Sequence, residues 1–243
     1  EDWAAGDYYT VGGSGRVFFP GDASLLAGLE AAGYDVALHP VDRSSDAEAA
    51  MRGFDVAIAC GGGVTQESRD RPSLRLDQDH FLQQLVARTR ASRSVDAPPH
   101  VRLPPLIVVA LAPGAILTSW AEHADAALVL FLGGEATGLA LSDVLSGHVS
   151  PSGRLPLTLP APEAHATPPC AGLSCSYTER LALAWRGLHK RPVAFPFGHG
   201  LSYTRFSYSW ETEPAPSAGG GATLDGRGDA QQPLFNLSFR VQN

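Results

Sequence analysis

With three cysteines in 243 residues, the chain is not a disulfide-stapled miniature; at this length it buries a core of its own. No apolar run approaches the roughly 20 residues that a membrane-spanning helix requires. The longest, Ala124–Leu132, is interrupted by Asp125, so no membrane span is expected. Basic residues are in the minority, 18 against 25 acidic ones for a formal net charge of -7. Little remains to neutralise a phosphate backbone, which excludes a nucleic-acid partner. The eight histidines include no H-x-x-x-H or H-E-x-x-H spacing, so no metal site is expected. No G-x-G-x-x-G opens a helix and no G-x-x-x-x-G-K-[ST] occurs, so no cofactor is expected either. A nucleophile elbow of the G-x-S-x-G type is also missing, which sets aside Ser/His/Asp hydrolysis.

What the chain has in surplus is turn-forming residues. Its 26 glycines and 19 prolines stand well above the roughly 12% of average usage. They mark many crossings between elements. The chain opens at Glu1 without an initiator methionine and stops at Asn243 within a strand-like run. Both ends are therefore expected to lie inside a longer protein, with any targeting segment outside this window.

The first 150 residues alternate between two patterns. Tyr34–Leu38, Phe54–Cys60, Leu106–Leu111 and Ala126–Phe131 are short apolar runs of the kind buried on both faces of a sheet. Between them, Asp22–Ala32 with Asp22 as its cap, Ser44–Arg52, Asp79–Arg90 and Ala136–Leu145 read as helices, the last ending at Gly147. Such alternation predicts an α/β fold: a mostly parallel sheet flanked by helices, an α/β sandwich. Residues 91–105 read as a surface insertion. From Ser150 the chain changes character. SPSGRLPLTLP reads as an extended edge segment. Tyr203–Trp210 and Leu234–Val241 are expected to pair as the first strands of an incomplete β-sandwich, separated by a low-complexity loop at Ala215–Asp229.

Ligands in open α/β sheets gather outside the carboxyl ends of the strands, so the loop after FDVAIAC draws attention. Its sequence, GGGVTQESRDRPSLRL, holds Glu67, Arg69, Asp70, Arg71 and Arg75. Composition alone suits a surface salt-bridge cluster; position suits a carboxylate aimed at a substrate. The glycine clusters at 12–15, 61–63 and 133–134 suit tight turns, and His199, between two glycines, suits a hydrogen-bonded turn. Cys60 reads as a buried core thiol, while the spacing of Cys170 and Cys175 permits a small disulfide. Asn236-Leu237-Ser238 forms a glycosylation sequon within a strand-like run.

Several of these segments, in order, resemble the C-terminal half of glycoside hydrolase family 3, the β-glucosidase and β-xylosidase family. GDYYTVGGSGRV at 6–17 is similar to the segment entering that family's second domain. FDVAIACGGGVTQESRDRPSLRL matches a strand and acidic loop ending E-x-x-D-R-x-x-L-x-L. SPSGRLPLTLP and FPFGHGLSYTRF resemble the signatures N-P-S-G-R-L-P-x-T-x-P and F-P-F-G-x-G-L-S-Y-T-x-F, the second leading into a fibronectin-III-like domain. The resemblance implies an α/β sandwich domain at 1–202 and the start of a fibronectin-III-like β-sandwich at 203–243.

It further implies the C-terminal part of a retaining β-glycosidase that releases terminal β-linked glucose or xylose. Glu67 takes the acid/base position, with Asp70 and Arg71 as the accompanying pair that binds substrate. The implied partners are a β-linked oligosaccharide or glycoside and an N-terminal (β/α)8 barrel, in the same or a companion chain, that supplies an Asp nucleophile. The isolated chain is then expected to be inactive, because a two-carboxylate mechanism cannot run on one carboxylate. The implied location is secreted or extracytoplasmic. The alternative is a non-catalytic homologue that acts as a structural or carbohydrate-binding subunit. The chain departs from the family pattern at Ser68-Arg69, where many relatives have G-x, and at Leu132-Gly133-Gly134-Glu135, where they have P-G-Q-E. A third departure is YTERLALAWRGLH, which lacks both glycines of Y-x-E-G-x-x-x-G-Y-R.

Overall fold

The computed structural model describes residues 24–65, 71–168, 170, 172–188, 190–216 and 235–243. Three parallel strands form its centre: β1 (Ala57–Gly62), β2 (Leu106–Ala112) and β3 (Ala126–Phe131), in the order β1-β2-β3. Ala57 pairs with Leu106, and Ile107 with Ala126. Side chains alternate across a strand, and that alternation sorts the sheet into two faces. Ala59, Val108, Ala110, Ala112, Val129 and Phe131 face α2 (Ser44–Ala50) and α3 (Asp79–Ala91). Ile58, Ile107, Val109, Leu111, Leu128 and Leu130 face α1 (Leu25–Ala31) and α4 (Thr137–Leu145). Helices on both faces of a parallel sheet make the α/β sandwich. Leu82 and Val108 are fully buried and Trp120 is 1% exposed; removing each such side chain from water stabilises the fold by roughly 1.5–3 kcal/mol.

Three expectations are corrected. Residues 34–38 form no strand: Tyr34 and Leu38 are exposed, and Val36 alone packs on the α1/α4 face. One inward side chain does not make a half-buried strand. Cys60 lies exposed on β1 rather than in the core. The first described helix takes Ser24 as its cap, with Oγ accepting from Ala27 N at 3.1 Å, an interaction worth about 1 kcal/mol. Asp22 lies outside the described residues, as do the glycines at 12–15 and most of the low-complexity loop.

The insertion at 91–105 is tied to the amino-terminal edge of the sheet by Arg93. Its guanidinium donates to the Leu103 carbonyl (3.3 Å), the Pro104 carbonyl and Asp125 Oδ1 (2.6 Å). Asp125 Oδ2 in turn accepts the Leu106 N–H at 2.7 Å. One arginine and one aspartate thus join the insertion to the starts of β2 and β3.

Beyond α4, the two proline- and glycine-rich motifs pack on each other. Leu159–Pro160 (β4) pairs antiparallel with Val193–Phe195 (β5), and α5 (Ala184–Leu188) lies between them in sequence. Leu155 N donates to His199 O (2.8 Å), Gly198 N to Leu155 O (2.9 Å) and Phe197 N to Thr158 Oγ1 (3.1 Å). A Cβ on Gly200 would stand 2.7 Å from the Gly153 carbonyl, so this crossing is a backbone contact. The His199 ring packs on Phe195 at 4.9 Å. Cys170 and Cys175 form a disulfide. The chain divides into two compact units after Gly200. The second contains β6 (Ser207–Pro216) paired antiparallel with β7 (Phe235–Gln242), and the sequon at Asn236 lies on β7.

Candidate functional site

The site is built at the carboxyl end of β1, where open parallel sheets place ligands. Gly62 N donates to Gln78 Oε1 (2.9 Å), and Asp77 N donates back to Gly62 O (2.8 Å). Gly63 N donates to Leu111 O at 3.1 Å, extending the strand pairing by one residue. Both ends of the loop between Val64 and Leu76 are therefore held to one strand end. Of the three residues singled out from the sequence, Glu67 and Asp70 lie outside the described residues, and Arg71 is described.

Arg71 Nη2 donates to the Ala115 carbonyl at 2.6 Å. Its Nη1 is buried without a hydrogen-bond partner among the described residues and lies where a Cβ on Gly63 would come within 3.0 Å. Burial lowers the Arg71 pKa from its ordinary value, while the negative charges of Asp77 and Glu163 work against that shift. Such a guanidinium stays protonated.

Sequence reasoning passed over Glu163, which stands on a 3-10 turn at Glu163–His165. Its Oε2 accepts from Ser73 Oγ at 2.8 Å and its Oε1 accepts the Leu74 N–H at 2.5 Å. Leu117 N donates to Leu74 O at 2.9 Å, on the other side of the same residue. No motif marks Glu163, because its partners are some 90 positions earlier in the chain. Asp79 was also passed over. Buried at the start of α3, it accepts from Arg75 Nη1 (2.5 Å) and Gln83 Nε2 (2.7 Å). Arg75 precedes α3, so no helical spacing marks the pair in the sequence.

The neighbouring strand ends complete the rim. Beyond β2 come Pro113 and Gly114. Beyond β3 comes Leu132, 61% exposed with φ 26°, then Gly133, Gly134 and Glu135. Elsewhere, Tyr177, Arg180, Leu181, Leu183, Trp185 and Arg186 line a shallow concavity of about 340 Å3. Left-handed backbone occurs there at Arg180 (φ 51°) and Ala184 (φ 46°). Among the described residues, no three His, Cys, Asp or Glu side chains gather as a metal site. No described helix is long and apolar enough to cross a membrane.

An α/β sandwich whose first described strand ends in a segment anchored at Gly62 and Leu74 defines the class of domain and places the candidate residues at the carboxyl end of the sheet. The particular family follows from comparison with known proteins. Residues 2–203 match the family model described as "Glycosyl hydrolase family 3 C-terminal domain", and the chain belongs to that family. It is 32% identical over 218 residues to the probable beta-glucosidase K of Emericella nidulans, covering 83% of this chain and 24% of that protein. It is 28% identical over 209 residues to the thermostable beta-glucosidase B of Acetivibrio thermocellus, covering 82% of this chain and 24% of that protein. Among solved structures it resembles the beta-D-glucoside glucohydrolase of Trichoderma reesei at a TM-score of 0.66 and 28% identity, covering 86% of this chain and 31% of the other. A family 3 beta-glucosidase from Neurospora crassa gives a TM-score of 0.69 at 25% identity, covering 88% and 27%. The chain thus spans about a quarter of the length of the curated relatives it matches, 24% in both cases.

Proposed function

We propose that this chain is the C-terminal part of a retaining β-glycosidase that removes terminal β-linked glucose or xylose, with Glu67 as its acid/base. Glu67 protonates the departing glycosidic oxygen, then deprotonates the water that resolves the glycosyl-enzyme intermediate. The Asp nucleophile comes from an N-terminal (β/α)8 barrel in the same or a companion chain, roughly 5–5.5 Å from Glu67 in the assembled site. Asp70 and Arg71 contact the sugar. The observation that carries the reading is the loop itself. In sequence the E-x-x-D-R run follows β1, and described residues before it, at its end and after it are anchored: Gly62 N donates to Gln78, Arg71 to the Ala115 carbonyl and Leu74 N to Glu163. The relatives' names, all β-glucosidases, support the same chemistry.

Two further parts of the reading concern context. Residues from 203 onward open a fibronectin-III-like sandwich. Supporting this, Trp210 pairs with Phe239 and Tyr208 with Val241, which puts these apolar side chains on one face of a hairpin that needs more strands for stability. The protein works outside the cytoplasm, a reading supported by the Cys170–Cys175 disulfide.

The test is hydrolysis of aryl β-glucosides and β-xylosides by the full-length protein, by its Glu67→Gln variant and by the isolated chain. Wild type turns over, Glu67→Gln loses about 10²-fold or more when acid assistance is needed, and the isolated chain is inert. Unchanged hydrolysis by Glu67→Gln refutes the acid/base role. Oligosaccharide binding without turnover establishes the non-catalytic alternative, which the departures at Arg69, Arg180 and Ala184 favour.

A further inference from the structure

We infer that Glu163 is a positioning residue for the acid/base loop, holding it from outside so that the Glu67 carboxyl meets the leaving-group oxygen. This inference rests on the reading of Glu67 given above.

The geometry is that of a carboxylate used as a clamp. Ser73 Oγ and Leu74 N are consecutive donors on the stretch that follows the E-x-x-D-R run, and each meets a different oxygen of the one carboxylate, at 2.8 Å and 2.5 Å. Hydrogen bonds to an ionised acceptor are roughly twice as strong as neutral ones. A carboxylate engaged through both oxygens also fixes orientation as well as distance. Its charge is felt at Arg71, the last residue of the run, where it opposes the desolvation of the guanidinium.

The clamp is mounted on structure, because Leu159 and Pro160 just before it are buried. The turn that bears it is also tied to the approach to β5: His165 Nδ1 lies 3.2 Å from Pro192 O, and Arg191 Nη1 donates to His165 O at 3.4 Å. Two segments distant in sequence thus meet the loop: the stretch after β2, through Ala115 at Arg71 and Leu117 at Leu74, and Glu163 at Ser73 and Leu74. Glu163 is the charged member of that set. Displacing a proton donor by about 1 Å costs up to 10²-fold in rate, and the loss falls only on reactions that need the proton.

That selectivity supplies the experiment. In the full-length protein, kcat/KM is measured for wild type, Glu163→Gln, Glu163→Ala and Glu67→Gln on two β-glucosides. One carries a dinitrophenolate leaving group, which departs without protonation; the other carries an alkyl alcohol, which does not. Thermal unfolding is followed in parallel. Glu163→Gln, which can still accept one hydrogen bond, is expected to lose about 10-fold on the alkyl glucoside and Glu163→Ala up to about 10²-fold. Both should stay within about 2-fold of wild type on the dinitrophenyl glucoside. The basic limb of the pH profile should move for the alkyl substrate in the Glu163 variants. Equal losses on both substrates, or none on either, overturn the positioning role, because general loosening of the fold does not distinguish leaving groups. If Glu67→Gln itself shows no leaving-group dependence, the acid/base assignment fails first. If Glu67→Gln shows it and the Glu163 variants do not, the clamp alone is refuted.

Discussion

Helices α1 and α4 approach through backbone, and a single methyl group should force them apart. A Cβ on Gly28 would stand 2.5 Å from the Gly138 carbonyl oxygen, 2.9 Å from its carbon and 3.1 Å from Ser142 Cβ. Real Cβ contacts essentially never fall below 3.0 Å, so the helices must separate by about 0.5 Å or more, and neither partner is a side-chain end that could swing away. The same contact holds a buried hydrogen bond from Ser142 Oγ to Gly28 O at 2.8 Å, which the separation lengthens. Overpacking of this kind costs about 1–3 kcal/mol and a weakened buried hydrogen bond about 1 kcal/mol. The helix-propensity gain of alanine over glycine returns about 1 kcal/mol. Gly28→Ala should therefore destabilise by about 2 kcal/mol, and a unit of this size loses about 2–4 °C in Tm per kcal/mol. Scanning calorimetry would compare it with Gly114→Ala, where a Cβ meets nothing within 4 Å and little should change. Gly28→Ala melting at or above the wild-type temperature would refute the backbone contact.

Two further predictions concern backbone strain and charge. Arg180→Gly and Ala184→Gly relieve left-handed φ values of 51° and 46°, each costing about 1–2 kcal/mol. After the greater unfolded-state freedom of glycine, each should still raise the urea midpoint by the equivalent of about 0.5–1 kcal/mol. A lowered midpoint would show that the strain is not there. At Asp125, burial pushes the carboxyl pKa up, but hydrogen bonds from Arg93 and the Leu106 N–H, with the charge of Arg93, outweigh it and leave the pKa below its ordinary value. A depressed carboxyl contributes stability above its unfolded pKa and loses it as the pH falls through the folded one. Asp125→Asn should therefore lower Tm at neutral pH, with the gap to wild type closing in acid below the usual carboxylate range. A pH-independent gap would argue against that charge.

The legible parts of this fold are those written in local periodicity. Ala126–Phe131 begins and ends where its apolar run does, and Leu106–Ala112 extends its run by one residue, because strands buried on both faces leave a continuous apolar signature. Residues 34–38 carry the same composition and form no strand, since strand pairing depends on a neighbour that composition does not name. Cys60 misled for a related reason: it shares a strand face with Ile58, which packs in the α1/α4 cluster, yet is not itself a member of that cluster. Ser24, two residues after Asp22, shows that several acceptable caps can precede one helix. At the site, the E-x-x-D-R run was readable as a motif, whereas Glu163 was not. A carboxylate defined by donors some 90 residues away has no spacing of its own.

The crossing of PSGRLP over FPFGHG, with the ties between His165 and Pro192 and between Arg191 and His165, closes the neck of a long excursion from Ala166 to Lys190. Once the neck is closed by contacts outside the excursion, its contour length becomes nearly independent of the stability of the sandwich. Doubling a flexible loop adds only about 0.6 kcal/mol of closure entropy. The excursion is therefore a port in the architecture, where whole modules could be spliced in or trimmed away while the sheet, the clamp on Ser73 and Leu74, and the strand end beneath them stay as they are.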